Sequence, residues 1–322
     1  MAPDVMVRST TLEEVVKRLS DLEHDVEALR HRLLAQTPHV ESNGVAPVHT
    51  PTASAVSPGT TAGLGHWDVT CLGRFQLRCT GRILSPCRSR RGQSILQYLL
   101  ASRGYAATTD ALLEVFWPDM DPAAGMHNLH MAVHALRRVL RGCGPDGSDQ
   151  TILFHRERYL LNPALSIVQD VDRFRAAYNQ GMHAATTGQV GDAQHALEEA
   201  RRWYAGEYLA DNPYEEWTQR HRAVLQDMYL SVLSQLSTFY SQASAWERAA
   251  DCCHEILAID PYHEEAYRQL MRCQAAYGRI AEVQRTYRRC KDRLRRDLQL
   301  DPAAETVLLY QQLVQPQVAV GV

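Results

Sequence analysis

Catalytic and nucleotide-binding signatures are missing from this chain. It has no Walker phosphate loop, no G-x-G-x-x-G after a strand, no G-x-S-x-G turn and no H-E-x-x-H helix. The adjacent acids Glu198-Glu199, Glu215-Glu216 and Glu264-Glu265 lie in helical stretches with no base beside them, so they read as solvated faces or caps. An enzyme is not expected. The eight cysteines (71, 79, 87, 143, 252, 253, 273 and 290) show no C-x-x-C spacing, and no histidine pair has ligand spacing. That excludes a zinc module, leaves no cofactor or metal to expect, and marks the thiols as reduced core residues. No run approaches the roughly eighteen apolar residues of a membrane span, and the N-terminus lacks a signal-peptide core. A cytoplasmic protein without a membrane partner is expected.

What is present is an ordinary globular composition, 45% hydrophobic and 22% charged over 322 residues, with room for about two domains. The net charge of −3 is unevenly spread. Residues 1–65 carry 5 basic and 8 acidic side chains, 66–162 carry 12 and 8, and 163–322 carry 17 and 21. Only the middle segment is positive, and all twelve of its cations are arginine. Arginine neutralises phosphate and binds guanine bidentately, so this is a candidate nucleic-acid footprint.

Leu12, Val15, Leu19, Leu22, Val26, Leu29 and Leu33 alternate steps of three and four, the seam of a short coiled coil over residues 1–35. Thr10 with Glu13, or Thr11 with Glu14, supplies a capping box, and Thr37-Pro38 a stop. Arg18 faces Glu23, and Asp25 faces Arg30, across a parallel pair, so the seam predicts a homodimer. Residues 36–65 change to Pro, Ser, Thr, Ala, Gly and Val without period, a flexible linker spanning on the order of 30 Å.

Residues 67–72 and 75–79 alternate as two short antiparallel strands. A helix is predicted near 94–101, ended by Gly104. A second opens at Thr109-Asp110 and runs to Trp117-Pro118. A third begins at Pro122 behind the N-cap Asp121 and covers about 122–141. In it Leu129, Val133, Leu136 and Leu140 form a buried stripe, while His127, His130, His134, Arg138 and Arg141, flanked by Met131 and Arg137, take the opposite side. A donor-rich, acid-free face suits a major groove lined by acceptors and phosphates. A basic hairpin follows over 151–161 with Arg156 to Arg158 at its tip. Three helices and a basic hairpin predict a winged helix-turn-helix with a small antiparallel sheet over 66–162.

The order of strands, basic lead-in, "ALLEVFWPDMDP", "NLHMAVHALRRVLR", "RYLLNP", "DVDRF" and a helical remainder resembles bacterial transcriptional activators of the antibiotic-regulatory type. The resemblance covers roughly 66–315. It implies a winged helix like that of response regulators joined to a bacterial transcriptional activator domain, although no phosphoacceptor domain is visible here. It further implies that the third helix reads the major groove through His127, His130, Met131, His134, Arg137, Arg138 and Arg141. Arg88, Arg90, Arg91, Arg156 and Arg158 then follow as backbone or wing contacts. Two departures stand out. Relatives carry Arg, Asn, Gln or Ser where this chain has its three histidines, so phosphate attraction is expected to be weaker and more pH-sensitive. The wing has Arg158, not glycine, before Tyr159.

From Pro163 the chain is predicted to be helical to its end, with a helix from about 213 to 242 capped by Asn212 and Glu215, and others over 245–259, 263–277 and 280–298. Asp260-Pro261 and Asp301-Pro302 punctuate helix pairs, and Leu236, Tyr240, Ala249 and Pro261 fall at offsets similar to those of tetratricopeptide repeats. The fold expected is mostly α: coiled coil (1–35), linker (36–65), winged helix (66–162), TPR-like activator domain (163–315) and a tail (316–322). The function expected is a dimeric, sequence-specific DNA-binding transcriptional activator whose repeats touch RNA polymerase or another protein. Two rivals stay open: a TPR-type scaffold whose winged helix docks protein, and a regulator that also senses a ligand in the repeat groove.

Overall fold

A computed structural model describes residues 65–84 and 87–315. The predicted coiled-coil seam, the linker up to Leu64, Ser85, Pro86 and the tail lie outside the described residues.

The first sheet has the order β3 (Arg82–Ile83), β2 (Gln76–Cys79), β1 (His66–Thr70), β7 (Ser166–Gln169). Strand β1 (His66–Thr70) buries Trp67 and Val69 on one face, and β2 (Gln76–Cys79) buries Leu77 and Cys79, as their alternation dictates. Thr80 and Gly81, both with positive φ, turn the chain into β3 (Arg82–Ile83). The fourth strand, β7 (Ser166–Gln169), is parallel to β1, Trp67 opposite Ile167. It corrects the expectation of helix from residue 163. Trp67, at 0% exposure the largest fully buried side chain, must be walled on both flanks, and β7 supplies the second.

Helix α1 (Arg90–Ala101) starts four residues earlier than predicted, because Ser89 caps it through the Gly92 N–H at 3.1 Å. Gly92 has no side chain for good reason: a Cβ there would stand 2.9 Å from the Ala132 carbonyl of the third helix. The helix ends at Ser102, before Gly104, and strand β4 (Ala106–Thr108) follows. Helix α2 (Thr109–Phe116) opens at Thr109 as predicted, behind the N-cap Thr108. Helix α3 (Pro122–Val139) has the predicted start, with Asp121 accepting from the N–H groups of Ala123 and Ala124. Strands β5 (Ile152–His155) and β6 (Arg158–Leu161) form the hairpin, and β4 extends it to a sheet of order β4-β6-β5.

The helical remainder runs α4 (Asp170–Thr186), α5 (Val190–Trp203), α6 (Gln219–Gln242), α7 (Trp246–Ile259), α8 (Glu264–Ala276), α9 (Ile280–Arg293) and α10 (Ala304–Val314). Sequential helices pack as pairs, with Leu236, Tyr240 and Ala249 buried between them. Two helix predictions are corrected. The helix placed at 213 begins at Gln219 behind a short 3-10 turn (Glu216–Thr218). The buried Arg222 guanidinium gathers the carbonyls of Tyr208, Leu209, Asn212 and Pro213 at 2.7–3.0 Å, which holds 208–213 open as a loop. The helix placed at 280–298 is α-helical only to Arg293 and ends in a π turn (Leu294–Leu298) closed by left-handed Gln299.

The two halves are joined by polar contacts, the innermost of them buried. Asp170, at the start of α4, accepts the N–H groups of Cys71, Leu72 and Val171 at 2.8–2.9 Å. Burial raises its carboxyl pKa, and those three backbone donors oppose the rise. The loop held by Arg222 returns to the same place, where the Leu209 N–H donates to the Cys71 carbonyl at 2.8 Å and the Ala210 N–H to that of Gly73 at 2.9 Å. Glu215 takes Arg91 and Ser94 of α1, each at 3.1 Å. Three separate ties fix the repeats to the first sheet and α1.

Candidate nucleic-acid interface

Helix α3 is anchored through Leu129, Ala132, Val133, Leu136 and Leu140, none more than 4% exposed. Gly125 lets it cross α2 closely: a Cβ there would lie 3.3 Å from the Leu113 Cδ2. Truncating one of these leucines to alanine costs about 2–5 kcal/mol, so the anchoring stripe is strongly held. The opposite face is free. His127, His130, Met131, His134, Arg137, Arg138 and Arg141 are all exposed, Met131 at 57%. The helix packs on α1 and α2, and the repeat helices leave this face uncovered.

The seven residues are not equivalent. Arg137 donates from Nε and Nη2 to the Ile152 carbonyl at 3.2 and 2.9 Å, so it fastens β5 to α3. Arg141 reaches Asp149 at 3.5 Å, an exposed and weak pair. His127, His130, His134 and Arg138 have no hydrogen-bond partner among the described residues.

The hairpin forms without the glycine. Arg156 and Glu157 both take left-handed backbone, φ 47° and 59°, the geometry of a two-residue type I′ turn. Side chains resist that conformation at a cost of roughly 1–2 kcal/mol per residue. The turn is held by Thr109, whose N–H and Oγ1 both donate to the Glu157 carbonyl, at 2.9 and 3.0 Å. Tyr159 is buried, and burial raises its pKa, with Arg137 opposing. Phe154, 54% exposed, packs against it with the rings tilted at 46° and their centroids 4.7 Å apart. Arg156 and Arg158 stand exposed at the turn with no acid paired to them among the described residues.

Arg88 and Arg90 are likewise exposed and unpaired among the described residues, while Arg91 is engaged by Glu215. The structure thus places Arg91 and Arg137 in internal ties and leaves the others on the surface. Sequence reasoning missed Thr109 and Phe154. Thr109 was read as a helix opener, and nothing in sequence shows that its donors cross 48 residues to the wing turn. Among the described residues no group of three or more His, Cys, Asp or Glu could hold a metal ion. No described helix is long and apolar enough to cross a membrane.

Comparison with known proteins places this geometry in context. A family model of the bacterial transcriptional activator domain matches residues 169–314. The chain is 26% identical over 229 residues to the transcriptional regulatory protein MoaR1 of Mycobacterium tuberculosis, covering 71% of this chain and 73% of that protein. It is 27% identical over 245 residues to the transcriptional regulatory protein EmbR of the same species, covering 72% of this chain and 59% of EmbR. The solved structure of M. tuberculosis EmbR in complex with a low-affinity phosphopeptide shares the fold at a TM-score of 0.64 and 24% identity. It covers 77% of this chain and 65% of the EmbR chain, so this chain spans less than two thirds of EmbR. A family model of the bacterial transcriptional activator domain thus covers the helical part of the chain, residues 169–314, and the relatives it is similar to are named as transcriptional regulatory proteins.

Proposed function

We propose that the chain is a sequence-specific regulator of transcription that binds double-stranded DNA, inserting α3 in the major groove and laying the β5–β6 wing on the adjacent backbone. The observation that carries this reading is the face of α3, exposed and free of acids from His127 to Arg141, beside a hairpin that shows Arg156 and Arg158. Arg138 is the guanidinium best placed to read a base, since Arg137 is tied to Ile152. His127, His130, Met131 and His134 make the neighbouring base or phosphate contacts. Arg88 and Arg90 meet the backbone.

In this reading residues 66–162 carry the DNA and residues 163–315 carry activation, through contact of the helical repeats with RNA polymerase. The heptad seam from Leu12 to Leu33 pairs two chains, and the linker of 36–65 lets them reach two half-sites about one helical turn apart. Selection of bound fragments from a random duplex library by the full chain tests the reading. Enrichment of one motif, repeated at a fixed spacing, supports it. Recovery of an unenriched library at physiological salt refutes specific binding. For the pairing, removal of 1–35 should halve the mass in sedimentation, and an unchanged mass would discard the seam.

A further inference from the structure

A second basic face lies far along the chain from α3. Seven of the seventeen cations in 163–322 fall within the twelve positions 285–296, inside a segment that is acidic as a whole. On α9 and its π turn, Arg285, Arg288, Arg289, Arg293 and Arg296 share one stripe at helical spacing and line a shallow cleft of about 420 Å³ with Asp292. The opposite side of the helix, Val283, Thr286, Cys290 and Leu294, is buried. The stripe is therefore the outward face, not a by-product of packing.

Its charge is only partly neutralised internally. Glu282 pairs loosely with Arg279 and Arg285 at 3.8 Å, and Asp297 takes Arg296 at 2.7 Å. Arg288, Arg289 and Arg293 meet no carboxylate among the described residues, and Arg289 lies over the Tyr267 ring at 5.6 Å. Clustered like charge destabilises a fold, so the arrangement favours an anionic partner that relieves it.

We propose that this stripe docks an acidic helical segment of a partner protein. Three features favour that occupant over duplex DNA. Asp292 lines the cleft and Glu282 and Asp297 pair with arginines at its ends, so a phosphate strand would meet acids along it, whereas a protein helix can answer them with its own cations. The outward face of α3 carries no acid from His127 to Arg141, whereas this stripe has Asp292 between Arg289 and Arg293. The α-helical part of the stripe, Arg285 to Arg293, is about 12 Å long at 1.5 Å per residue, close to the reach over which a partner helix presents carboxylates at i, i+4 and i+7.

The test uses the full chain and a fluorescent synthetic helix of about 18 residues with glutamates at those positions, beside a twin carrying glutamines. Arg285→Gln with Arg288→Gln, and the reversal Arg285→Glu with Arg288→Glu, are compared with Arg138→Ala by anisotropy. The proposal expects the glutamate helix to bind and the glutamine twin not to. Affinity should fall on the order of tenfold in the Gln pair and further in the Glu pair, with Arg138→Ala unchanged. Duplex affinity should be the same in both α9 pairs. Equal peptide affinity in all variants, absence of peptide binding, or loss of duplex binding in the α9 pairs would each overturn it, the last by assigning the face to nucleic acid.

Discussion

The Arg137 guanidinium closes on the Ile152 carbonyl through two hydrogen bonds, so the outward helix and the hairpin beside it are one rigid piece. Arg137→Ala removes both donors from a carbonyl on a barely exposed strand residue. Stability should drop by about 1 kcal/mol in urea titration, and amide exchange in β5 should quicken. Arg137→Lys, which cannot present two donors in one plane, should recover less than half of the loss. An unchanged exchange rate in β5 would mean that water replaces the guanidinium without cost.

Asp170 is the buried tie between the sheet and the repeats. Asp170→Ala orphans the N–H groups of Cys71 and Leu72 and should cost about 2–4 kcal/mol. Asp170→Asn should cost less. The sign of the pH effect follows from the raised carboxyl pKa. The folded state holds this proton more tightly than the unfolded chain, so stability falls as pH rises from about 4 through the raised value. Wild type should lose stability relative to Asp170→Asn across that window. Parallel curves for the two proteins would remove Asp170 as the cause.

Glu198 behaves in the opposite sense. Partial burial works against its charge, but hydrogen bonds from Gln194, Tyr240 and Arg248 outweigh it and hold the carboxyl below its ordinary value. Its contribution to the α5–α6 joint is complete above the ordinary carboxylate pKa and is lost as pH falls through the lowered one. Thermal melts from pH 6 to 3 should show a shallower acid decline in Glu198→Gln than in wild type.

Seven of the eight thiols are buried, and burial pushes Cys143, Cys253 and Cys290 up to about 12 and Cys252 to about 11. Cys87 alone is partly exposed. Ellman's reagent should therefore find one fast thiol in the native chain and eight in urea, and Cys87→Ser should abolish the fast phase. A second fast thiol would show that the repeat core opens readily.

The parts of this architecture that sequence reveals are those whose cause is local. The stripe from Leu129 to Leu140 repeats at 3.6 residues, and Asp121-Pro122 marks its start, so α3 and its outward face were legible. Ser166–Gln169 was not, because four residues after Asn162-Pro163 have no period to display and become a strand only beside β1. Arg222 is invisible as a structural residue, since its four acceptors are backbone carbonyls that any sequence would supply. The same blindness made Arg137 look like a base reader, although its acceptor is the Ile152 carbonyl fifteen residues away. Glu215 looked like a capping-box acid and instead binds Arg91 and Ser94 across 124 and 121 residues.

The measurement that bears most directly on the DNA reading is the salt dependence of duplex binding by the full chain, wild type against Arg138→Ala with Arg141→Ala. Wild type should lose affinity steeply as salt rises. The double variant should bind more weakly at low salt, with a slope of log affinity against log salt flatter by about one for each phosphate contact removed. Identical affinity and identical slope in the two proteins would contradict the docking of α3 on duplex DNA.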